Sequence, residues 1–276
     1  MKPHQIEALE ISLLLEAIYQ RYGYDFRNYA AASIQRRING FLVSSGQPSI
    51  SALIPAVIHD PSFFQHLLLG LSITVTEMFR DPPMFKSLRE TVLPFLKSFP
   101  SFKIWHAGCA TGQEAYSLSI LLEEEGLNHR ATIYATDFND EALDVARKGI
   151  YEKEHIEQYS ENYVQSGGKL SFADYFHEKY DAVIMRKNLK ERIIFANHNL
   201  ATDSAFSEIH LIFCRNVLIY FDKKLQKKVL NLFWECLPHN GFLCLGSRES
   251  LAFSGLEDKF MPVDKKNKIF QKKEIG

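Results

Sequence analysis

The sequence has no apolar run approaching the ~20 residues that a membrane-spanning helix needs, and its N-terminus, MKPHQIEALEISLLLEAIYQ, lacks the separate basic and apolar regions of a signal peptide. Cysteine is scarce. The four residues Cys109, Cys214, Cys236 and Cys244 form no CxxC pair and no metal-like spacing, so neither a disulfide framework nor a structural metal site is expected. Three of them lie in apolar stretches and read as buried free thiols of a cytoplasmic protein. Net charge is also missing. With 32 basic and 33 acidic residues the formal value is −1, so no global field selects nucleic acid or an anionic membrane. What is present is ordinary globular composition, 46% hydrophobic and 24% charged, in a chain of 276 residues that suits one large domain or two small ones.

Two regions differ in pattern. Residues 1 to about 70 read as helices with polar joints and no strands. Ile6, Leu9, Leu13 and Leu14 fall at helical spacing; further helices are expected over Tyr29–Leu42, ended by SSGQPS, and around Ser51–Ile58 and Ser62–Leu71. From about residue 100 the pattern becomes strand–helix alternation. FKIWHA, ATIYATD, RIIFANHN, IHLIFCRN and GFLCLGS are short apolar runs, with helical patterns at Glu114–Glu124, Glu141–Lys148 and Lys223–Leu237 between most of them. Strands buried on both faces read as continuous apolar runs, so a parallel doubly wound sheet is expected. The tail DKFMPVDKKNKIFQKK predicts an antiparallel hairpin at the sheet edge. About forty residues between Ile150 and Lys190 exceed what a connection needs and read as an inserted subdomain. The expected domains are 1–72, helical; 73–100, a linker and cofactor-contacting segment; and 101–276, a sheet domain with 151–190 inserted.

WHAGCATGQEAYS, residues 105–117, places Gly108 and Gly112 at the carboxyl end of the first strand, where open parallel sheets bind ligands. Glycine tolerates positive φ and removes the side chain that would block a ligand. A plain tight strand–helix turn explains G-x-x-x-G as well. Asp137 ends the second strand 25 residues after Gly112, placed to accept both hydroxyls of a ribose. The competing role is the N-cap of the helix near Glu141, for which Asp140 is better placed. Nicotinamide cofactors and S-adenosylmethionine both fit a ribose carboxylate. Glu114 would repel a pyrophosphate but pair with an ammonium group, so the turn favours S-adenosylmethionine; a first-turn acid stabilising the helix dipole is the plainer reading of Glu114.

WHAGCATGQEAYS, YATDFNDEALDVARKGIY, FANHNL, FCRNVLIYFDKKLQKKVL and TEMFRDPPMF resemble the chemotaxis-receptor glutamate O-methyltransferases, the CheR family, over nearly the whole chain. The resemblance implies an α/β fold: a Rossmann-like doubly wound methyltransferase sheet with a C-terminal antiparallel hairpin, an all-helical N-terminal domain and an inserted small β-subdomain. It implies esterification of glutamate side chains on the cytoplasmic helices of a chemoreceptor, with S-adenosylmethionine as cofactor and S-adenosylhomocysteine as product. No metal, nucleic acid or membrane insertion is implied. By resemblance, Arg80 lies near the transferring methyl and the cofactor, with Thr76 and Thr74 in the same stretch. Glu114 and Asp137 take the cofactor roles above; Asn199 and Leu200 match the segment at the adenine end; Arg215, Asn216 and Tyr220 line the active-site mouth. Arg80, Arg215 and Tyr220 are the expected catalytic residues. Gln113 and Ala115 replace Glu and Pro of the commonest form GEEPYS, GSRES at 246–250 resembles the family's GHSE, and no glycine-rich strand turn follows Phe176, where some relatives dock a receptor's terminal pentapeptide.

Methyl transfer to a carboxylate is an in-line displacement, and a free glutamate, with a pKa of about 4.3, is already ionised near neutral pH. No general base is required; alignment and exclusion of water are. Arginine suits this because its planar fork fixes a carboxylate. A surface salt bridge with Asp81 or Glu77 is the plainer reading of Arg80, and a core aromatic that of Tyr220. His106 and His198 read as satisfied polar residues at strand ends rather than bases or metal ligands. CRNV stands where nucleic-acid amino-methyltransferases place a D/N-P-P-Y/F/W turn. Arg27, Arg36 and Arg37 either steer an acidic receptor helix or form a solvated basic face. The rivals are a methyltransferase of this fold acting on another protein or a small molecule, a non-catalytic module binding the cofactor or its product, and, more distantly, a dinucleotide oxidoreductase.

Overall fold

Caps and prolines set the limits of the first helices. In the computed structural model, which describes residues 1–204 and 208–274, α1 (Pro3–Tyr22) has a proline in its first turn and stops at Gly23 in the left-handed region. α2 (Ala31–Ser45) stops at Gly46 in the same way. Ser49 caps α3 (Ile50–His59) by accepting the Ala52 amide, and Asp60 caps α4 (Pro61–Leu71) by accepting those of Ser62 and Phe63. The helices belong to a compact unit of Met1–Ile73, Asn199–Asp203 and Ile219–Val229; the rest of the described chain forms a second. The expected domain end at 276 lies, with Ile275, outside the described residues.

The helix expected from Ile6, Leu9, Leu13 and Leu14 is present as α1; its buried face is Ile11, Leu14, Leu15 and Ile18, while Ile6, Leu9 and Leu13 are 47%, 48% and 51% exposed. Both sets obey helical spacing, on opposite sides, and α1 packs against α3. One expectation is corrected here. α2 starts at Ala31 rather than Tyr29, because Tyr29 bridges to Phe221 and the Ala30 amide donates to the Tyr220 carbonyl.

In the second unit, the stretch expected as a linker carries α5 (Pro82–Thr91) and α6 (Leu93–Leu96), whose Met84, Phe85, Leu88, Leu93 and Leu96 enter the core. Then follow β1 (Phe102–Ala107), α7 (Gln113–Glu124), β2 (Ala131–Asp137) and α8 (Asp140–Lys148). The insertion supplies β3 (Ile150–Glu152), α9 (Ile156–Gln165), β4 (Phe176–Lys179), β5 (Ala182–Met185) and α10 (Lys187–Lys190). The chain continues through β6 (Ile193–Asn197), β7 (Leu211–Cys214), α11 (Lys223–Cys236), β8 (Phe242–Leu245), β9 (Phe260–Asp264) and β10 (Ile269–Lys272).

The seven-stranded sheet has the order β6-β2-β1-β7-β8-β10-β9. Its first five strands are parallel, and the β9–β10 hairpin closes the edge antiparallel, as the sequence predicts. β1 lies between β2 and β7, so strand order reverses beside its carboxyl end. The insertion folds as a three-stranded antiparallel sheet, β3-β5-β4. It is tied to the main layers at Glu124 of α7, which accepts from the Tyr163 and Tyr175 hydroxyls and the Lys169 amide and pairs with Arg89 of α5.

Candidate active site

The turn after β1 needs unusual backbone. Gly108 and Gly112 have φ of +78° and +90°, and Ala110 also lies in the left-handed region at +48°. A Cβ on Gly108 would come within 2.4 Å of Val217 Cγ2, and one on Gly112 within 2.8 Å of the Ala146 Cβ. The close approach that the sequence assigns to a ligand is therefore made, at both glycines, by the chain's own side chains. The turn is stitched to β2: the Gly108 and Cys109 amides donate to the Thr136 carbonyl at 2.8 and 2.9 Å.

Asp137 is part of that stitching. Its Oδ2 accepts the Ala110 amide at 2.9 Å and its Oδ1 the Asn139 amide at 3.0 Å. Burial pushes its carboxyl above the ordinary value, and the amides of Asn139 and Ala110 offset this only in part. Asn139, not Asp140, caps α8, accepting the Glu141 and Ala142 amides, so Asp137 is relieved of capping but not left unbonded.

Glu114, in the first turn of α7, is 4% exposed. A dipole-stabilising surface acid would stand in water; this one sits in a buried ionic cluster. Its Oε2 receives Arg215 Nη1 at 2.6 Å and its Oε1 lies 3.2 Å from His106 Nε2. Burial alone would raise its pKa, but Arg215, His106 and Arg80 together hold it below the ordinary value. Arg215 is itself fixed: Nη2 pairs with Asp81 at 2.5 Å and Nη1 also donates to the Arg80 carbonyl at 3.2 Å. Two buried atoms in this cluster, Arg215 Nε and His106 Nδ1, have no hydrogen-bond partner among the described residues.

Arg80 stands between two non-glycine residues in the left-handed region, Phe79 at φ +53° and Asp81 at +57°. Such backbone persists only where the surroundings enforce it. Here the Phe79 amide donates to Ser117 Oγ at 2.8 Å, the Met78 carbonyl accepts from Asn162 Nδ2 at 3.1 Å, and the buried Phe79 ring packs edge-on against Phe85 and Tyr163. The surface salt bridge considered for Arg80 is absent: Asp81 pairs with Arg215, and the half-buried Arg80 guanidinium enters no ion pair among the described residues. Thr76 is half-buried and Thr74 exposed.

Asn216, at φ +59°, turns the chain after β7, and the buried Glu249 holds that turn. Its Oε1 accepts the Val217 and Leu218 amides at 2.8 and 2.7 Å, and its Oε2 the Gly246 amide at 2.5 Å. Gly246 is obligatory because a Cβ there would sit 2.8 Å from both the Asn216 nitrogen and Glu249 Oε2. Burial raises the Glu249 carboxyl above its ordinary value, offset in part by the amides around it.

The structure thus brings together Arg80, Glu114 and Arg215, with Asp137 joined through the glycine turn and Asn216 continuing from Arg215. Asn199, Leu200 and Tyr220 belong to the first unit. There, Asn199 organises its own loop: its amide donates to Asp203 and its Oδ1 accepts the Ala201 amide. Leu200 is buried, and the half-buried Tyr220 ring lies 5.8 Å from the Arg37 guanidinium. Arg37 also donates to the Ser72 carbonyl at 2.9 Å, and Arg27 is neutralised by Glu16 and Asp25; Arg36 is exposed and enters no ion pair among the described residues. Sequence reasoning missed Asp81 as the partner of Arg215, Asn162 and Ser117 as anchors of the Arg80 segment, Glu249 as the clamp of the Asn216 turn, and His106 as a neighbour of Glu114. His106 and Glu114 flank the glycine turn, the one signal in the sequence that joins them.

Comparison with known proteins bears on this arrangement. Residues 9–72 match the CheR methyltransferase all-alpha domain, and residues 74–269 the CheR methyltransferase SAM-binding domain. The chain is 52% identical to the putative methyltransferase Cher3 of Pseudomonas putida, over 96% of this chain and 97% of that one. It is 34% identical to chemotaxis protein methyltransferase 1 of Vibrio cholerae over 70% of each chain, and 28% identical to the chemotaxis protein methyltransferase of Borreliella burgdorferi over 94% of each. The two matched domains account for the helical unit and for the doubly wound sheet with its glycine turn, and the chain belongs to the CheR family of S-adenosylmethionine-dependent methyltransferases.

Proposed function

We propose that this protein esterifies glutamate side chains on the cytoplasmic part of a chemoreceptor, acting in the cytoplasm during chemosensory adaptation. The observation that carries the reading is the buried, ionised Glu114 held against Arg215, beside an Arg80 guanidinium that enters no ion pair among the described residues. The cluster fits the cofactor. Glu114 suits an ammonium group, Arg215 Nε is a buried donor with no partner among the described residues, and Asp137 ends β2 where a ribose is bound in such sheets. Bound S-adenosylmethionine supplies a methyl group on a sulfonium cation.

The chain's own part is binding and alignment. Glu114 and Asp137 hold the amino-acid and ribose ends, with Arg215, Asn216, Thr74 and Thr76 beside them. Arg80 orients the substrate carboxylate. The carboxylate arrives ionised, so no residue accepts a proton. Orientation of this kind supplies on the order of 7–11 kcal/mol of a barrier. The chemotaxis names of the Vibrio and Borreliella relatives support a receptor as the acceptor.

The test is transfer from methyl-labelled S-adenosylmethionine to a chemoreceptor cytoplasmic fragment, followed by mild alkali. Carboxyl methyl esters release volatile methanol, whereas N-methyl products keep their label. Alkali-labile label that falls at least about a hundredfold in Arg80→Ala supports the reading, a loss on the scale of a group acting only in the transition state. Alkali-stable label, or cofactor binding without transfer, overturns it in favour of another acceptor or a binding module.

A further inference from the structure

His106 is a buried titratable group that the reaction outlined above leaves unused. It stands on β1 between Ala135 of β2 and Phe213 of β7, and is 3% exposed. Its Nε2 lies 3.2 Å from Glu114 Oε1, and its Nδ1 is buried without a hydrogen-bond partner among the described residues. A carboxylate that is ionised can only accept, so Nε2 carries the proton. Arg215 occupies the other oxygen of Glu114. The carboxylate is thus held at both ends, by the guanidinium on one side and the imidazole N–H on the other.

We propose that His106 is a positioning residue for Glu114: its imidazole N–H fixes Oε1 so that the carboxylate meets the cationic amino group of the cofactor. The inference rests on the S-adenosylmethionine reading and concerns only the amino-acid end of that molecule. The groups facing His106 are Glu114 from α7, Asp137 from the end of β2 and the Phe213 ring from β7 at 6.2 Å. Arg215 follows through Glu114.

The experiment is calorimetric titration of the full chain with two probes at neutral pH. One is S-adenosylhomocysteine. The other is 5′-methylthioadenosine, which keeps the nucleoside and lacks the amino-acid end. The ratio of the two affinities isolates the Glu114 end from the Asp137 end. His106→Gln keeps a donor, so its ratio stays close to that of wild type. His106→Phe keeps the ring volume without the donor and lowers the ratio about tenfold, as expected for a lost hydrogen bond to a charge. An unchanged ratio in His106→Phe, a fall in His106→Gln as large as in His106→Phe, or equal weakening of both probes with a lower melting temperature, overturns the positioning role. A wild-type chain that binds neither probe overturns the cofactor reading itself and the inference with it.

Discussion

Asp137 shows how the binding role proposed for a residue sets it against the fold that carries it. Its carboxyl is raised above its ordinary value by burial, so folding favours the protonated form. For a group raised in the folded state, stability is fully present below the unfolded value and is lost as pH rises through the folded one. At neutral pH the ionised Asp137 is therefore a burden, which a ribose bound as proposed would relieve. Asp137→Asn is expected to match or exceed wild type in melting temperature at pH 7, with the advantage vanishing in acid, while cofactor affinity falls by about tenfold or more. A variant less stable than wild type at pH 7 would show that the Ala110 and Asn139 amides, rather than a ligand, are what the charge is for. The residue types were legible in the sequence because Asp137 and Glu114 sit at fixed offsets from the glycine turn. Asp81 and Glu249 were not, since each acts on a group 134 or 32 residues away and carries no local pattern.

At the scale of elements, the bare turn after β1 is a packing device. Gly108 is at φ +78° and faces the Val217 methyls. Gly108→Ala meets both obstacles, backbone strain and contact, and should cost roughly 2–4 kcal/mol in urea unfolding. Adding Val217→Ala removes the contact but not the strain, so the double variant should recover part of that loss; full recovery would exclude strain, and none would exclude the contact. The same distinction explains what sequence could say of the elements. β1, β7 and β8 were legible because each is a short run buried on both faces, and the hairpin because DKKN interrupts two short apolar runs. The face of α1 was not. Ile6, Leu9 and Leu13 and the set Ile11, Leu14, Leu15 and Ile18 satisfy one periodicity, and the choice between them depends on where α3 lies.

Across the whole molecule the formal charge of −1 means that the proposed recognition of an acidic receptor would not draw on a global field. Of the basic residues near α2, Arg27 and Arg37 are spent on internal partners. The same inward economy governs sulfur. Cys109, Cys214, Cys236 and Cys244 are all buried, and burial raises the thiols of Cys109, Cys214 and Cys244 above their ordinary value. The native protein should therefore react with a maleimide far more slowly than the urea-unfolded chain, and mass spectrometry should find no adduct while the fold is intact. Rapid native labelling would mean that the core opens more often than its packing implies. If the protection holds, one cysteine introduced on an exposed helix becomes a unique attachment point for a spin label or fluorophore, and none of the four native cysteines has to be replaced first.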